Sequence, residues 1–132
     1  MPHATRMTRT AFVPIVVRHA GRHGIDVGAL SSAHQLPPSV ENEPIAYVST
    51  QTVRALAAEV ADRLGQPDLG VRMALELARG SYGVLEFAVR SAPSMRDALD
   101  RFVRYQRMLN DLVDVRLVRG AGETEIVERF TG

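Results

Sequence analysis

The chain has 132 residues, of which 45% are apolar and 23% charged; these are ordinary globular values that allow one hydrophobic core and exclude a fibrous or wholly disordered protein. The formal charge of +1, with basic residues spread along the chain, argues against a domain that grips a nucleic-acid backbone by itself. The absence of cysteine excludes disulfides, thiolate metal sites and a cysteine nucleophile.

The N-terminal residues do not predict a targeting signal. Arg6 and Arg9 precede a short apolar run, and basic side chains interrupt that run before it reaches the length of a signal peptide or a membrane span. We therefore expect residues 1–9 to be a disordered segment, and the protein to be soluble and cytoplasmic without contact to a membrane.

Helical periodicity recurs along most of the chain up to Asn110. Pro14 suits the first turn of the first helix, and Ser49 or Thr50 caps a long helix that Gly65-Gln66-Pro67 stops. A variant of the capping box, Ser94-x-x-Asp97, starts the last helix. Five helices are predicted, at about 12–24, 50–64, 69–80, 83–90 and 95–110, with a possible short helix at 27–33 in a proline-rich connector.

After Asn110 the period changes from helical to alternating. Val113, Val115 and Leu117 face one way, Gly120-Ala121-Gly122 turns the chain, and 123–130 forms a second extended run. A lone hairpin is marginal in water, so these strands need more sheet or a helical face to rest on. The predicted fold class is α+β, mostly helical with a C-terminal antiparallel β-hairpin, and we expect a truncated domain because the chain stops where further strands would follow.

Two histidines show the spacing of a zinc-hydrolase motif. His19 and His23 are four positions apart, but Ala20 stands where the catalytic Glu would be. The neighbouring Arg18 and Arg22 would repel a cation. A solvated basic helix end is therefore favoured, and neither a metal nor a cofactor is predicted.

Catalysis finds little support in the local chemistry. Glu76 and Glu86 are the carboxylates in the most apolar region, and both are expected at the polar edge of their helices or paired with Arg72, Arg79 or Arg90. The sequence has no nucleophile elbow and no phosphate-binding loop. We therefore predict no enzyme and no catalytic residue.

Aromatic and soft side chains gather near a basic residue in the last third of the chain. Tyr82, Phe87, Arg104, Tyr105 and Met108 could line an apolar pocket with a few convergent polar groups. Such a set at helical spacing is also typical of a plain core. A cavity of ligand size would separate the two interpretations.

Four stretches, read together, carry a family resemblance. LGQPDLGVR (64–72), GSYGVLEFA (80–88), SAPSMRDAL (91–99) and RYQRM (104–108) resemble, in order and spacing, the N-terminal arabinose-binding type of sensor domain in AraC-family transcriptional regulators. The resemblance covers roughly residues 12–130. It implies a bacterial cytoplasmic regulator whose N-terminal domain senses a small effector or mediates dimerisation, and whose C-terminal domain binds DNA through two helix-turn-helix units.

For this chain the resemblance implies an effector-sensing and dimerisation domain at 10–132 without the DNA-binding domain. The implied partners are a small-molecule effector, a second copy in a homodimer, and DNA only through the missing C-terminal domain. The helix at 83–90, apolar on most faces, is expected to be a central core element that forms one wall of the pocket. The alternative is a stand-alone protein-interaction module that binds no small molecule and pairs through the strand edge at 113–130.

Overall fold

The chain folds as two compact units that divide between Leu77 and Ala78. A computed structural model describes residues 5–131. The first unit contains β1 (Met7–Thr10), α1 (Phe12–Arg22), α2 (Val27–Ala33), a 3₁₀ segment (Val40–Asn42), β2 (Ala46–Ser49), α3 (Thr50–Leu64) and α4 (Leu69–Glu76). The second unit contains α5 (Gly83–Arg90), α6 (Met95–Tyr105), a 3₁₀ segment (Gln106–Met108), β3 (Val113–Arg119) and β4 (Thr124–Phe130).

Helix α1 lies at the centre of the first unit. Its apolar residues after Phe12 are buried, because α2, α3, α4 and the 3₁₀ segment all contact it. Leu30, Val40 and Leu56 are the matching buried side chains from these neighbours. The fully or nearly buried side chains of α1 are Val13, Pro14, Ile15, Val16, Val17, His19 and Ala20.

The pair of strands in the first unit was not predicted from the sequence. β1 and β2 pair antiparallel, with Met7 opposite Ser49 and Thr10 opposite Ala46. The predicted disordered segment therefore ends earlier than residue 9, because residues 7–10 gain backbone partners from a strand far away in the chain. Thr8 and Thr10 are buried in this pairing. Residues 1–4 lie outside the described part.

Helix α3 begins and ends where the sequence predicts. The Ser49 hydroxyl accepts the backbone N–H of Thr52 at 3.0 Å, as an N-cap does. At the other end Gly65 adopts a left-handed conformation with φ of 61°, and the N–H of Gln66 donates to the carbonyl of Ala61 at 2.8 Å. This sharp C-terminal turn directs the Gln66 side chain towards α1.

The second unit confirms the predicted hairpin and, with the helices, the α+β fold class. β3 and β4 pair antiparallel from Val113 opposite Phe130 to Arg119 opposite Thr124. Helix α6 packs on β3, where Val115 is buried. No helix among residues 5–131 combines the length and the apolar character needed to cross a bilayer.

Several helix boundaries and one burial pattern differ from the predictions. Within the described residues there are six α-helices, since the possible helix at 27–33 forms, while α1, α4 and α6 end two to five residues early. Helix α5 was expected to be a surrounded core element, and this expectation is wrong. Val84 is 76% exposed and Phe87 is 75% exposed, because α6 covers only one side of α5.

Candidate functional site

An open groove of about 460 Å³ lies along α5 and α6 in the second unit. Its volume falls within the range of small-molecule sites. Aromatic rings and charged groups both face it, so a ligand with apolar and ionic parts could make contacts of both kinds. The lining residues are Phe87, Ala88, Ser91, Asp100, Arg101, Arg104 and Tyr105.

The groove wall is held by contacts from α6. The guanidinium of Arg101 donates to the carbonyl of Ala88 at 2.8 Å and to the Ser91 hydroxyl at 3.2 Å. The Ala88 carbonyl lies at the C-terminal end of α5, where the helix backbone supplies no donor, and it also accepts from the Ser91 hydroxyl at 3.4 Å. Asp100 accepts from Arg119 of β3 at 2.6 Å, which ties the same helix to the hairpin.

Arg104 is the groove cation that remains available. Its guanidinium carbon lies 5.4 Å from the centroid of the Tyr105 ring, in cation–π range. Within residues 5–131 no carboxylate forms an ion pair with it. A negatively charged group in the groove could therefore pair with Arg104 without displacing a carboxylate from it.

The predicted site residues are only partly brought together. Phe87, Arg104 and Tyr105 face the same groove, whereas Tyr82 and Met108 do not line it. Tyr82 lies in the loop before α5, where burial, followed by the charge of Glu86, raises the pKa of its hydroxyl. Met108 is in the 3₁₀ segment after α6 and is exposed.

Four groove residues were not predicted from the sequence, namely Ala88, Ser91, Asp100 and Arg101. Arg101 precedes Arg104 and Tyr105 by three and four positions, so that all three share one face of α6. That spacing was available in the sequence. The role of Ser91 was not, because it depends on the way α6 folds back on α5.

Gly80, in the loop before α5, and Gly83, the first residue of α5, serve the backbone conformation of this turn. Gly80 has φ of 87° and Gly83 has φ of 54°, values that residues other than glycine rarely adopt. A Cβ added at either position would meet no atom within 4 Å. These glycines are therefore needed for their positive φ and not to make room for a neighbouring backbone.

Glu86 folds back onto this loop. Its carboxylate accepts the backbone N–H of Gly80 at 2.7 Å and the Nε–H of Arg90 at 2.9 Å, the second being a pairing that the sequence predicted. Partial burial acts most strongly on the pKa of Glu86 and would raise it. The bonds from Gly80, Arg90 and Tyr82 together outweigh burial and lower the pKa below its ordinary value.

A second polar cluster lies in the first unit, between α1 and α4. His19 and His23 stack with ring centroids 4.4 Å apart. Glu76, at the end of α4, places its carboxylate 2.9 Å from His19 Nδ1 and 3.0 Å from His23 Nε2. Sequence analysis considered the two histidines alone, since no pattern linked them to a carboxylate 53 residues beyond His23.

Burial and the two imidazoles act in opposite directions on the Glu76 carboxyl. Partial burial is the largest single influence and would raise its pKa. The hydrogen bond from His23 and the charges of both histidines together lower the pKa below its ordinary value. The anionic form of Glu76 is thus the one that this cluster favours.

Two comparisons with known proteins agree with each other. The family model described as the arabinose-binding domain of AraC transcription regulator, N-terminal, matches residues 24–131. The ornithine utilization regulator of Pseudomonas aeruginosa is 24% identical over 116 residues, which cover 88% of this chain and 34% of that regulator. The chain thus spans about a third of the length of this curated relative.

The match includes α5, α6 and the hairpin, and therefore every residue that lines the groove. It begins after His19 and His23. Because the family model covers well over half of the chain, the resemblance carried by the four sequence stretches is confirmed, and the chain belongs to the arabinose-binding N-terminal domain family of AraC transcription regulators.

Proposed function

We propose that this chain is the regulatory domain of a bacterial AraC-type transcription factor and binds a small effector in the α5–α6 groove. The observation that carries the proposal is the groove itself, in which Phe87 and Tyr105 offer aromatic surface beside the cation of Arg104. Apolar walls with a few convergent polar groups are what small-molecule sites have in common. The protein would act in the cytoplasm as a regulator and not as an enzyme.

The groove chemistry favours an effector with a carboxylate and an apolar or aliphatic body. Arg104 would pair with the carboxylate, since a guanidinium matches its two oxygens. Asp100 would attract an ammonium group, although it already bonds to Arg119. Amino acids combine these features, and the relative named for ornithine utilization supports testing that class first.

A ligand in the groove would stabilise one arrangement of α5 and α6 over others. It can shift an equilibrium only by binding two states with different affinity. Asp100 belongs to the groove and also bonds to Arg119 of β3, so that a change at α6 would reach the hairpin. The hairpin would then transmit the conformational change to a second copy of the chain. A C-terminal DNA-binding domain would respond to that change.

The hairpin has the features of a dimer contact. Phe130 is 77% exposed and Ile126 is 48% exposed, although both lie on the same face of the sheet as the buried Val115. In the described residues, β3 and β4 pair only with each other, so each keeps an open edge. Open edges beside uncovered apolar residues favour association with another chain.

The effector proposal is tested by titrating the purified chain with single amino acids, ornithine included, in isothermal calorimetry and thermal melting. Arg104→Gln should weaken binding of an active compound at least tenfold. Arg116→Gln, which removes an equal charge from an exposed position of β3, should leave binding unchanged. An affinity that survives both Arg104→Gln and Phe87→Ala would place the effector elsewhere.

The second candidate function is protein interaction without a small molecule, which the exposed hairpin favours. Light scattering after size-exclusion chromatography, with the variants Ile126→Lys and Phe130→Lys, tests the association. A dimer that these variants dissociate, together with no response to any amino acid, would favour the interaction module over the sensor. A ligand response that also shifts the dimer equilibrium would favour the sensor.

A further inference from the structure

The cluster of His19, His23 and Glu76 concentrates ligand atoms of the kinds that bind metals. One ligand atom from each residue lies within 4.8 Å of the other two. His19 lies in the last turn of α1 and His23 directly follows that helix, one turn further along the chain, and α4 ends at the point where Glu76 meets them. The histidine pair, which the sequence disfavoured as a metal site because of Ala20 and the neighbouring arginines, thus gains a carboxylate from another helix.

Gln66 determines which nitrogen of His19 carries a proton. The Nε2 atom lies 2.9 Å from the Oε1 atom of Gln66. A carboxamide oxygen only accepts hydrogen bonds, so Nε2 must be the donor, and in a neutral ring the lone pair is on Nδ1. This nitrogen is completely buried and faces Glu76.

The contact between His19 Nδ1 and Glu76 Oε2 needs a positive charge. The atoms are 2.9 Å apart, and Nδ1 is a buried nitrogen without a geometrically complete hydrogen bond. A lone pair and a carboxylate oxygen at this distance repel each other unless a proton or a metal ion lies between them. His23 Nε2, at 3.0 and 3.2 Å from the two Glu76 oxygens, faces the same carboxylate.

We propose that His19, His23 and Glu76 form a binding site for a divalent transition-metal ion, with Zn²⁺ as the best fit. Two imidazole nitrogens and one carboxylate oxygen are a known ligand set for zinc, and hard cations such as Mg²⁺ or Ca²⁺ prefer oxygen alone. Bonds of about 2.0–2.1 Å in a tetrahedron put neighbouring ligand atoms roughly 3.3 Å apart. The present nitrogen–oxygen contacts need to open by only a few tenths of an ångström.

The surroundings of the site suit an open coordination position. No fourth His, Cys, Asp or Glu joins the three among residues 5–131. The side chains of His23 and Glu76 are 35% and 38% exposed, so water or a small ligand can reach the metal. Gln66 accepts the hydrogen bond from the other ring nitrogen of His19 and so orients this imidazole. Most metal-bound histidines donate their second N–H to such a partner.

The positive charges near the site do not prevent binding. Arg18 donates to the backbone carbonyl of Glu41 at 2.7 Å, which holds its guanidinium at the 3₁₀ segment. Arg22 is exposed to solvent. Its repulsion is therefore screened by water and salt, while the anionic Glu76 contacts the site directly.

The proposal is independent of the effector groove, which lies in the other unit, and is tested with the chelator-treated chain and ZnCl₂ alone. We expect calorimetry to show one Zn²⁺ per chain and thermal melting to shift upward, because a ligand that binds only the folded state stabilises it. Co²⁺ in place of Zn²⁺ should give the absorption bands of a four-coordinate site. Failure to bind either ion at micromolar concentration would overturn the proposal.

Variants locate the site. Because His19 is buried, the partly exposed His23→Gln and Glu76→Gln are used, and each should weaken Zn²⁺ binding at least tenfold. Gln66→Leu should weaken it by about 10- to 100-fold through the lost orientation of His19. His34→Gln is the matched control, because His34 contacts Glu59 without a third ligand. Wild-type affinity in both His23→Gln and Glu76→Gln, or an equal loss in His34→Gln, would show that the ion binds elsewhere.

Discussion

His34 Nε2 lies 2.6 Å from the Glu59 carboxylate and joins the end of α2 to the middle of α3. Arg63, one turn further along α3, reaches the other oxygen of the same carboxylate at 3.3 Å. The hydrogen bond with His34 is the main reason why the pKa of Glu59 lies below its ordinary value of 4.5; burial opposes it, and Arg63 adds to the lowering. This pair is an electrostatic link between the end of α2 and α3 in the first unit.

The Glu59 pair predicts how stability depends on pH. A carboxyl group whose pKa is lowered by folding stabilises the protein above its unfolded pKa, and the stabilisation is lost as pH falls through the folded pKa. Glu59→Gln should therefore lower the free energy of unfolding at pH 6. Both side chains are partly screened by solvent, so the loss is at most about 1 kcal/mol.

Urea unfolding at several pH values between 6 and 3 checks this prediction. The difference between Glu59→Gln and the parent chain should shrink as the pH falls below 4.5 and through the lowered pKa of the folded-state carboxyl. Glu43→Gln, at an exposed position, should show no such trend. A constant difference over the whole range would mean that the substitution acts through packing and not through charge.

Glu86 predicts a local effect on the loop before α5. Glu86→Ala removes the acceptor for the Gly80 N–H and the partner of Arg90, so hydrogen exchange at Gly80 should become faster and the melting temperature should fall by a few degrees. Glu128→Ala, which removes an exposed carboxylate from β4, is the control. If exchange at Gly80 were unchanged, the loop would be held by the turn bonds of its own backbone.

Leu56 and Leu75 form a matched pair for the core of the first unit. Leu56 is fully buried against α1, whereas Leu75 of α4 is 81% exposed. Leu56→Ala should cost about 2–5 kcal/mol because it leaves a cavity. Leu75→Ala should change stability by no more than about 0.5 kcal/mol. Chemical unfolding of both variants measures the difference, and equal losses would contradict the burial of Leu56.

Local patterns were sufficient for most of the helices and for the hairpin. Ser49 and Gly65 defined the two ends of α3, and Ser94 defined the start of α6. Capping residues could be recognised because they bond to backbone groups only a few positions away in the chain. The alternation after Asn110 was likewise a local signal. These elements could be read from the sequence because neighbours along the chain determine them.

Long-range contacts account for what the sequence did not reveal. β1 and β2 are four residues each and pair across nearly forty positions, so neither is long enough to show a period. Glu76 reaches His19 and His23 through the packing of α4 on α1. The exposure of α5 could not be predicted either, since an apolar composition does not specify which neighbours cover a helix.

The cap of α6 gives a prediction that separates stability from binding. The Ser94 hydroxyl accepts the N–H of Asp97 at 3.1 Å and donates to its carboxylate at 2.6 Å. This differs from a full capping box, in which the acidic side chain accepts the backbone N–H of the cap residue. Ser94→Ala should cost about 1 kcal/mol, and Ser94→Asn, which keeps an acceptor, should cost less.

Loss of this cap should fray the first turn of α6 and leave the other end of the helix in place. Arg104 and Tyr105 lie at that other end, so an effector that binds through them should keep most of its affinity for Ser94→Ala. Unfolding and calorimetry on the same preparations measure both quantities. Loss of stability without loss of binding is expected, while Arg104→Gln should show the reverse. A parallel loss of both in Ser94→Ala would mean that the groove depends on the whole of α6.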